Sequence, residues 1–276
     1  MFKKLVIVFF LAVILVICFP LIYPPVSKLK KENPKKTSFM QFREREWQAK
    51  GKKIRLKQQW IPLSRISPYL IKAAIIAEDD KFWKHEGFDF EAIQKAMEKD
   101  LKAGKFKAGG STISQQLAKN LYLTPSKNPL RKGKEAILTW RIERNLSKKR
   151  IIELYLNVVE WGEGIFGIEA ASRHYYGKSA QALGPEEAAR LAVVLPNPRK
   201  LNPVGNSRYV AKRAEIIYNI MVRRGIVIPA FEEVMAPEEG AAGADSKEGK
   251  GDQAPASSIV EQSKRPGEEE RDEVKN

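Results

Sequence analysis

Apolar and polar positions divide the chain into stretches of different character. Leu5 to Tyr23 (LVIVFFLAVILVICFPLIY) is almost unbroken hydrocarbon. As a helix rising ~1.5 Å per residue it spans roughly 28 Å, close to the hydrocarbon thickness of a bilayer. No small-x-small cleavage site follows it, and Cys18 lacks the small preceding residue of a lipid-modified cysteine. Residues 1–23 are therefore expected to form an uncleaved transmembrane anchor, with Pro20 near its end where a kink is tolerated. Residues 24–47 turn abruptly to proline, lysine and other polar types and read as a basic stalk.

From Trp60 to about Arg224 apolar residues recur at helical spacing, as in EAIQKAMEKDLKAG, STISQQLAKNLYL, KEAILTWRIERNL, KKRIIELYLNVV and PEEAARLAVVL. Asn128-Pro129 and Gly184-Pro185 place proline at helix starts. Strand signals are few and no internal repeat is found. A mainly α domain is expected over residues 48–228. Residues 229–276 are rich in Gly, Ala, Ser and Glu with few large apolar residues, the composition of a disordered tail.

Charge sharpens this division. The net charge is +16, yet from Ala236 onward 11 acidic and 6 basic residues give −5, leaving +21 on the residues before it. A body that basic suits anionic partners: nucleic acid, lipid head groups or phosphorylated substrates. A solvated basic surface without a ligand is the alternative. With Cys18 as its one cysteine and His85 and His174 as its only histidines, the chain has no intrachain disulfide and no Cys/His metal cluster. Lysines are denser after the anchor than before it, and a simple count would put the body in the cytoplasm; that count weakens before a long translocated domain.

Three segments carry chemistry. In Ile71–Gly87 (IKAAIIAEDDKFWKHEG), a helix would put Ile71, Ala74, Ile75, Glu78 and Phe82 on one face, with Asp79 and Asp80 turned away. A carboxylate on an apolar face loses hydration and gains proton affinity, which suits a general base; pairing Glu78 with a buried cation is the structural alternative. In Gly109–Asn120, Thr112 and Gln115 form a capping box opening a helix, and Gln115, Gln116 and Lys119 share its polar face. The Gly-Gly pair before that helix suits an anion site, or the segment is an ordinary amphipathic helix. In Lys127–Glu135, Arg131 and Glu135 are i,i+4 neighbours among Lys127, Lys132 and Lys134. The cluster reads as a phosphate grip or as a surface ion pair of little energetic weight.

Together these segments resemble the monofunctional biosynthetic peptidoglycan transglycosylases, whose domain also forms the N-terminal half of bifunctional penicillin-binding proteins. The resemblance spans about Trp60 to Pro203 in five ordered blocks. They are Glu78-Asp79 through Phe82, His85 and Gly87; Gly110-Ser111-Thr112-Ile113 through Gln115, Gln116, Lys119 and Asn120; and Arg131-Lys132 with Glu135. Ile151 to Asn157 follows, then Tyr176-Gly177 leading to Glu187-Ala188-Ala189 and Leu195 to Pro198. It implies a lysozyme-like, two-lobed helical domain whose cleft opens near the membrane, with apolar surface dipping into the bilayer. The implied activity is polymerisation of lipid II into β-1,4-linked glycan with release of undecaprenyl pyrophosphate. Glu78 is implied as the base for the acceptor hydroxyl, and Glu135 matches the family's second glutamate. Lys119, Arg131 and Lys132 match cations that neutralise the leaving diphosphate. Ser111 and Gln115 would orient the sugar-phosphate, and Phe82, Asn120 and Lys127 fall among the matching substrate-binding positions. Implied partners are lipid II, the nascent strand, the membrane and other cell-wall synthesis proteins, not nucleic acid. The implied place is the periplasmic side of the inner membrane.

Lys127 stands where relatives commonly carry arginine, so charge survives but bidentate geometry does not; Ser114 replaces a frequent threonine. No penicillin-binding domain follows: there is no Lys-Thr-Gly, and Ser27-Lys28-Leu29-Lys30 is a coincidental Ser-x-x-Lys. Mg2+ or Mn2+ would suit a diphosphate, but no ligand cluster commits to either and no metal site is assigned. A lytic hydrolase of the same polymer and a non-catalytic polyanion-binding scaffold are the competing functions.

Overall fold

Caps and prolines set the helix limits in a computed structural model, which describes residues 22–104, 110–125 and 128–228. Nine α-helices stand among the described residues. They are α1 (Ser38–Ala49), α2 (Pro68–Glu78), α3 (Phe90–Ala103), α4 (Ile113–Tyr122), α5 (Pro129–Asn145), α6 (Lys148–Val158), α7 (Ile168–Tyr176), α8 (Pro185–Val194) and α9 (Arg208–Arg223). The predicted starts hold. Asn128 Oδ1 accepts from the Leu130 amide ahead of α5, and Glu187 reaches back to the Gly184 amide ahead of α8. The capping box of α4 closes through Thr112 Oγ1 and Gln115 Oε1.

Helices α2, α8 and α9 pack on one another, while α4 packs against α1, α5 and α6. One apolar core runs through both groups, with Leu70, Ile113, Leu117, Ile142, Tyr155, Leu191 and Met221 fully buried or nearly so. A small sheet, sparse in its sequence signal, joins β1 (Lys57–Gln58), β2 (Glu160–Gly162) and β3 (Ile165–Phe166) in the order β1-β3-β2. β1 runs parallel and β2 antiparallel to β3. Asn157 braces the approach to β1 from α6: Oδ1 accepts from the Ile61 amide (3.0 Å), and Nδ2 donates to the carbonyls of Ile61 and Glu153.

The stalk expectation requires correction. Residues 24–47 do not stand off the domain, because Val26, Leu29, Met40 and Trp47 are buried in its core. Two arginines from distant helices strap this segment down. Arg141 donates to the carbonyls of Ile22 and Pro24, each at 2.7 Å, and Arg150 donates to the carbonyls of Leu29 and Glu32. Its lysines face outward while its few apolar residues face in. Among the described residues no helix is long and apolar enough to cross a membrane. The expected anchor lies almost entirely outside the described residues, as does the expected acidic tail.

Candidate active site

Glu78 is the last residue of α2. The chain leaves the helix at Asp79, so the single apolar face expected from Ile71 through Phe82 is broken there. Asp79 turns inward rather than away. Its Oδ2 accepts from the Ile113 amide at the start of α4 (2.9 Å), and its Oδ1 lies 2.8 Å from His85 Nε2. His85 Nδ1 accepts from the Gly87 amide, which leaves the ring proton on Nε2 to be donated to Asp79. Asp79 thereby locks the turn after α2 to the N-terminus of α4. Asp80 faces solvent and pairs with Arg224.

That lock sets Glu78 beside α4. Gln116 Nε2 donates to Glu78 Oε2 at 2.6 Å, and the Tyr155 hydroxyl donates to Gln116 Oε1, which orients the amide. Burial raises the proton affinity of Glu78 above the ordinary glutamate value, opposed by the Gln116 hydrogen bond and by Lys119, and reinforced by Asp79. One turn along α4, burial lowers the proton affinity of Lys119, while Glu135 and Glu78 hold it up. Lys119 therefore lies within electrostatic reach of Glu78 and of the Arg131–Lys132–Glu135 cluster together. Among the described residues Lys119 makes no ion pair, whereas Arg131 (2.7 Å) and Lys132 both pair with the buried Glu135. A partly desolvated cation without a direct ion-pair partner favours an incoming anion.

The other expected site residues are placed differently. Gln115 is buried and its side-chain oxygen is committed to the Thr112 amide, so it builds the helix start. Phe82 is fully buried beneath the ammonium of Lys148 (4.6 Å) and is a core residue. Asn120 is nearly buried, with Nδ2 donating to the Gln116 carbonyl. Ser111 is exposed just before α4. Lys127 and Gly109 lie outside the described residues. Gly110 has φ +103°, and a Cβ there would lie 3.4 Å from the Ala92 carbonyl oxygen, so its backbone closes against α3.

Gln116, Lys119 and Asn120 form one wall of a cleft of about 440 Å³. Phe39 and Arg43 of α1, Glu160 of β2, and the turn from Leu195 to Lys200 supply further walls. Arg43 Nε donates to Glu160 Oε2 at 2.9 Å, and its Nη1 pairs with Glu46 at 2.7 Å. Neither Arg43 nor Glu160 is conspicuous in the sequence: they are 117 positions apart, and only the packing of α1 on the domain joins them. Gln116 and Asp79 were likewise present in the motif blocks without the roles that geometry gives them.

A sequence model of the family described as Transglycosylase matches residues 47–222. The chain belongs to the transglycosylase family. Relatives named biosynthetic peptidoglycan transglycosylase come from Dechloromonas aromatica (57% identical over 67% of this chain and 80% of the relative) and Nitrosospira multiformis (49% identical over 79% and 94%). A third, from Aromatoleum aromaticum, is 55% identical over 67% of this chain and 80% of its own length. The family match takes in every expected site residue from Glu78 to Glu135, and it begins at Trp47, a core residue of α1. Among the described residues no three His, Cys, Asp or Glu side chains stand together as metal ligands, and the site's positive charge comes from lysine and arginine.

Proposed function

We propose that this chain polymerises peptidoglycan glycan strands from lipid II outside the cytoplasmic membrane, with Glu78 as general base. The 4-hydroxyl of the acceptor GlcNAc loses its proton to Glu78 as its oxygen attacks C1 of the donor MurNAc. The C1–O bond to the diphosphate breaks, and undecaprenyl pyrophosphate leaves with the bonding pair. Attack from the opposite face turns the α-linked donor into a β-1,4 link. A sugar hydroxyl is a poor nucleophile until a positioned base removes its proton. Diphosphate leaves readily once its charge is met, so Lys119, backed by Arg131 and Lys132, takes the place of the protonated carboxyl of a glycoside hydrolase. Glu135 holds those two cations in position.

The observation that carries this reading is the pairing of a half-buried carboxylate of raised proton affinity with an unpaired, partly desolvated lysine one turn beyond its hydrogen-bond partner. Residues 1–23 would tether the domain to the bilayer. Support for a membrane-facing side comes from α3, where Phe90, Met97 and Leu101 lie along one helix face and are 61–75% exposed. The test is labelled lipid II given to the purified full chain. Glycan polymer and free undecaprenyl pyrophosphate are expected. Breakdown of preformed glycan would point to a hydrolase, and absence of any product to a scaffold.

A further inference from the structure

The cleft contains a carboxylate that the proposed mechanism does not use. Glu160 is 3% exposed and lines the cleft from β2. Its Oε2 accepts from Arg43 Nε at 2.9 Å and lies 2.9 Å from Nη2 of the same guanidinium, while its buried Oε1 has no hydrogen-bond partner. An acceptor left unpaired in the interior costs free energy unless something fills it. Arg43 cannot easily swing to do so, because Glu46 holds its other end.

We infer that Glu160 is a saccharide-binding residue, its Oε1 receiving a hydroxyl or acetamido N–H of the glycan in the cleft while Arg43 fixes the carboxylate. The inference rests on the glycan-polymerising function proposed above. The chemistry of the atom selects the ligand. A carboxylate oxygen needs a donor, and an ionised diphosphate offers only acceptors. The diphosphate end therefore belongs with Lys119, and Glu160 marks a sugar-holding part of the same cleft. Burial raises the proton affinity of Glu160 despite Arg43. A hydroxyl complements the group in either protonation state, since it can both donate and accept. The helix carrying Arg43 directly follows the segment strapped to α5 and α6, so a sugar contact is built from the N-terminal part of the described chain.

The test compares wild type with Glu160→Leu, which removes the acceptor and keeps the volume apolar while Arg43 retains Glu46. Three ligands are titrated against the full chain in detergent: lipid II, a soluble GlcNAc-MurNAc tetrasaccharide without lipid or diphosphate, and undecaprenyl pyrophosphate without sugar. The expected result is about tenfold weaker tetrasaccharide binding, the loss of one charge-assisted hydrogen bond. KM for lipid II should rise in parallel, kcat should stay within about twofold, and undecaprenyl pyrophosphate binding should not change. Should the leucine variant fail to fold, Glu160→Gln carries the test, with a smaller loss of about threefold expected because a neutral hydrogen bond remains. Tetrasaccharide binding unchanged in the folded variant, undetectable in wild type, or lost together with undecaprenyl pyrophosphate binding would each overturn the inference. A wild type that polymerises lipid II while the variant matches it would overturn the role of Glu160 alone. A wild type that makes no polymer would overturn the function itself.

Discussion

Glu78→Gln separates a base from a structural carboxylate, because the structure predicts opposite effects on rate and on stability. The amide oxygen can still accept from Gln116, whose orientation the Tyr155 hydroxyl fixes, so the local hydrogen bonds survive. Proton abstraction does not survive. Loss of a positioned general base costs about 10²–10⁴-fold, and kcat for lipid II polymerisation should fall by that factor with KM little changed. In wild type the acid limb of the rate profile should lie above the ordinary glutamate value of 4.5, because burial raises the proton affinity of this side chain. Activity is lost as pH falls through that limb. The stability sign is the reverse. A carboxyl whose folded proton affinity is raised contributes its stability fully below the unfolded value, that same 4.5, and loses it as pH rises through the folded one. At neutral pH the variant, with no charge to desolvate, should unfold at the same temperature as wild type or higher, and any gain should vanish as pH drops below about 4. Thermal unfolding from pH 4 to 8 beside a lipid II polymerisation assay checks both signs. Wild-type turnover in a folded variant, or a clear loss of stability at neutral pH, would refute the assignment.

Lys119→Met should lower kcat/KM for lipid II by about 10²-fold, the scale of one charge-stabilising group, without lowering the unfolding temperature, because it removes a desolvated cation that makes no ion pair among the described residues; an unchanged kcat/KM would remove Lys119 from the donor site. Glu135→Gln leaves Arg131 and Lys132 without their shared carboxylate and should cost about 1–3 kcal/mol in urea unfolding, with activity reduced less than in Glu78→Gln; a loss as deep as that variant's in a fully folded protein would make Glu135 a chemical participant. Gly167→Ala sets a Cβ 2.6 Å from the Asn157 carbonyl oxygen at φ +77° and should destabilise the domain by more than about 2 kcal/mol; wild-type unfolding would mean that the turn between β3 and α7 relaxes freely.

Local signals were legible in the sequence wherever the stabilising partner lies within one turn. The capping box at Thr112, proline at the start of α5 and α8, and the amphipathic repeats each act within four residues, and each stands where expected. Glu78 was legible for a related reason: a carboxylate among Ile71, Ala74 and Ile75 must lose hydration wherever that face is packed. Tertiary partners were hidden. Residues 24–47 look like a stalk because lysine dominates their composition, whereas their placement is decided by Arg141 and Arg150, more than 100 positions away. Phe82 and Gln115 fall in motif blocks but serve the core and a helix cap, since motif membership does not distinguish a residue that builds a site from one that touches the ligand. The sheet escaped notice because strands of two or three residues are too short to show alternation.

The separation of paired from unpaired cations bears on how the proposed reaction is timed. Arg131 and Lys132 share the one carboxylate of Glu135, so each already has an ion-pair partner. Lys119 makes no direct ion pair among the described residues, and its attraction for Glu78 is one of the influences holding the proton affinity of that carboxylate down. In the proposed reaction a diphosphate set against Lys119 would supply a direct counter-charge and offset that attraction. Glu78 would then become more basic as the donor arrives, when the acceptor hydroxyl of the proposed reaction must be deprotonated. In the proposed reaction the same coupling would leave Glu78 a weaker base before the donor is bound. Under the proposed function, charge placement would tie base strength to donor occupancy.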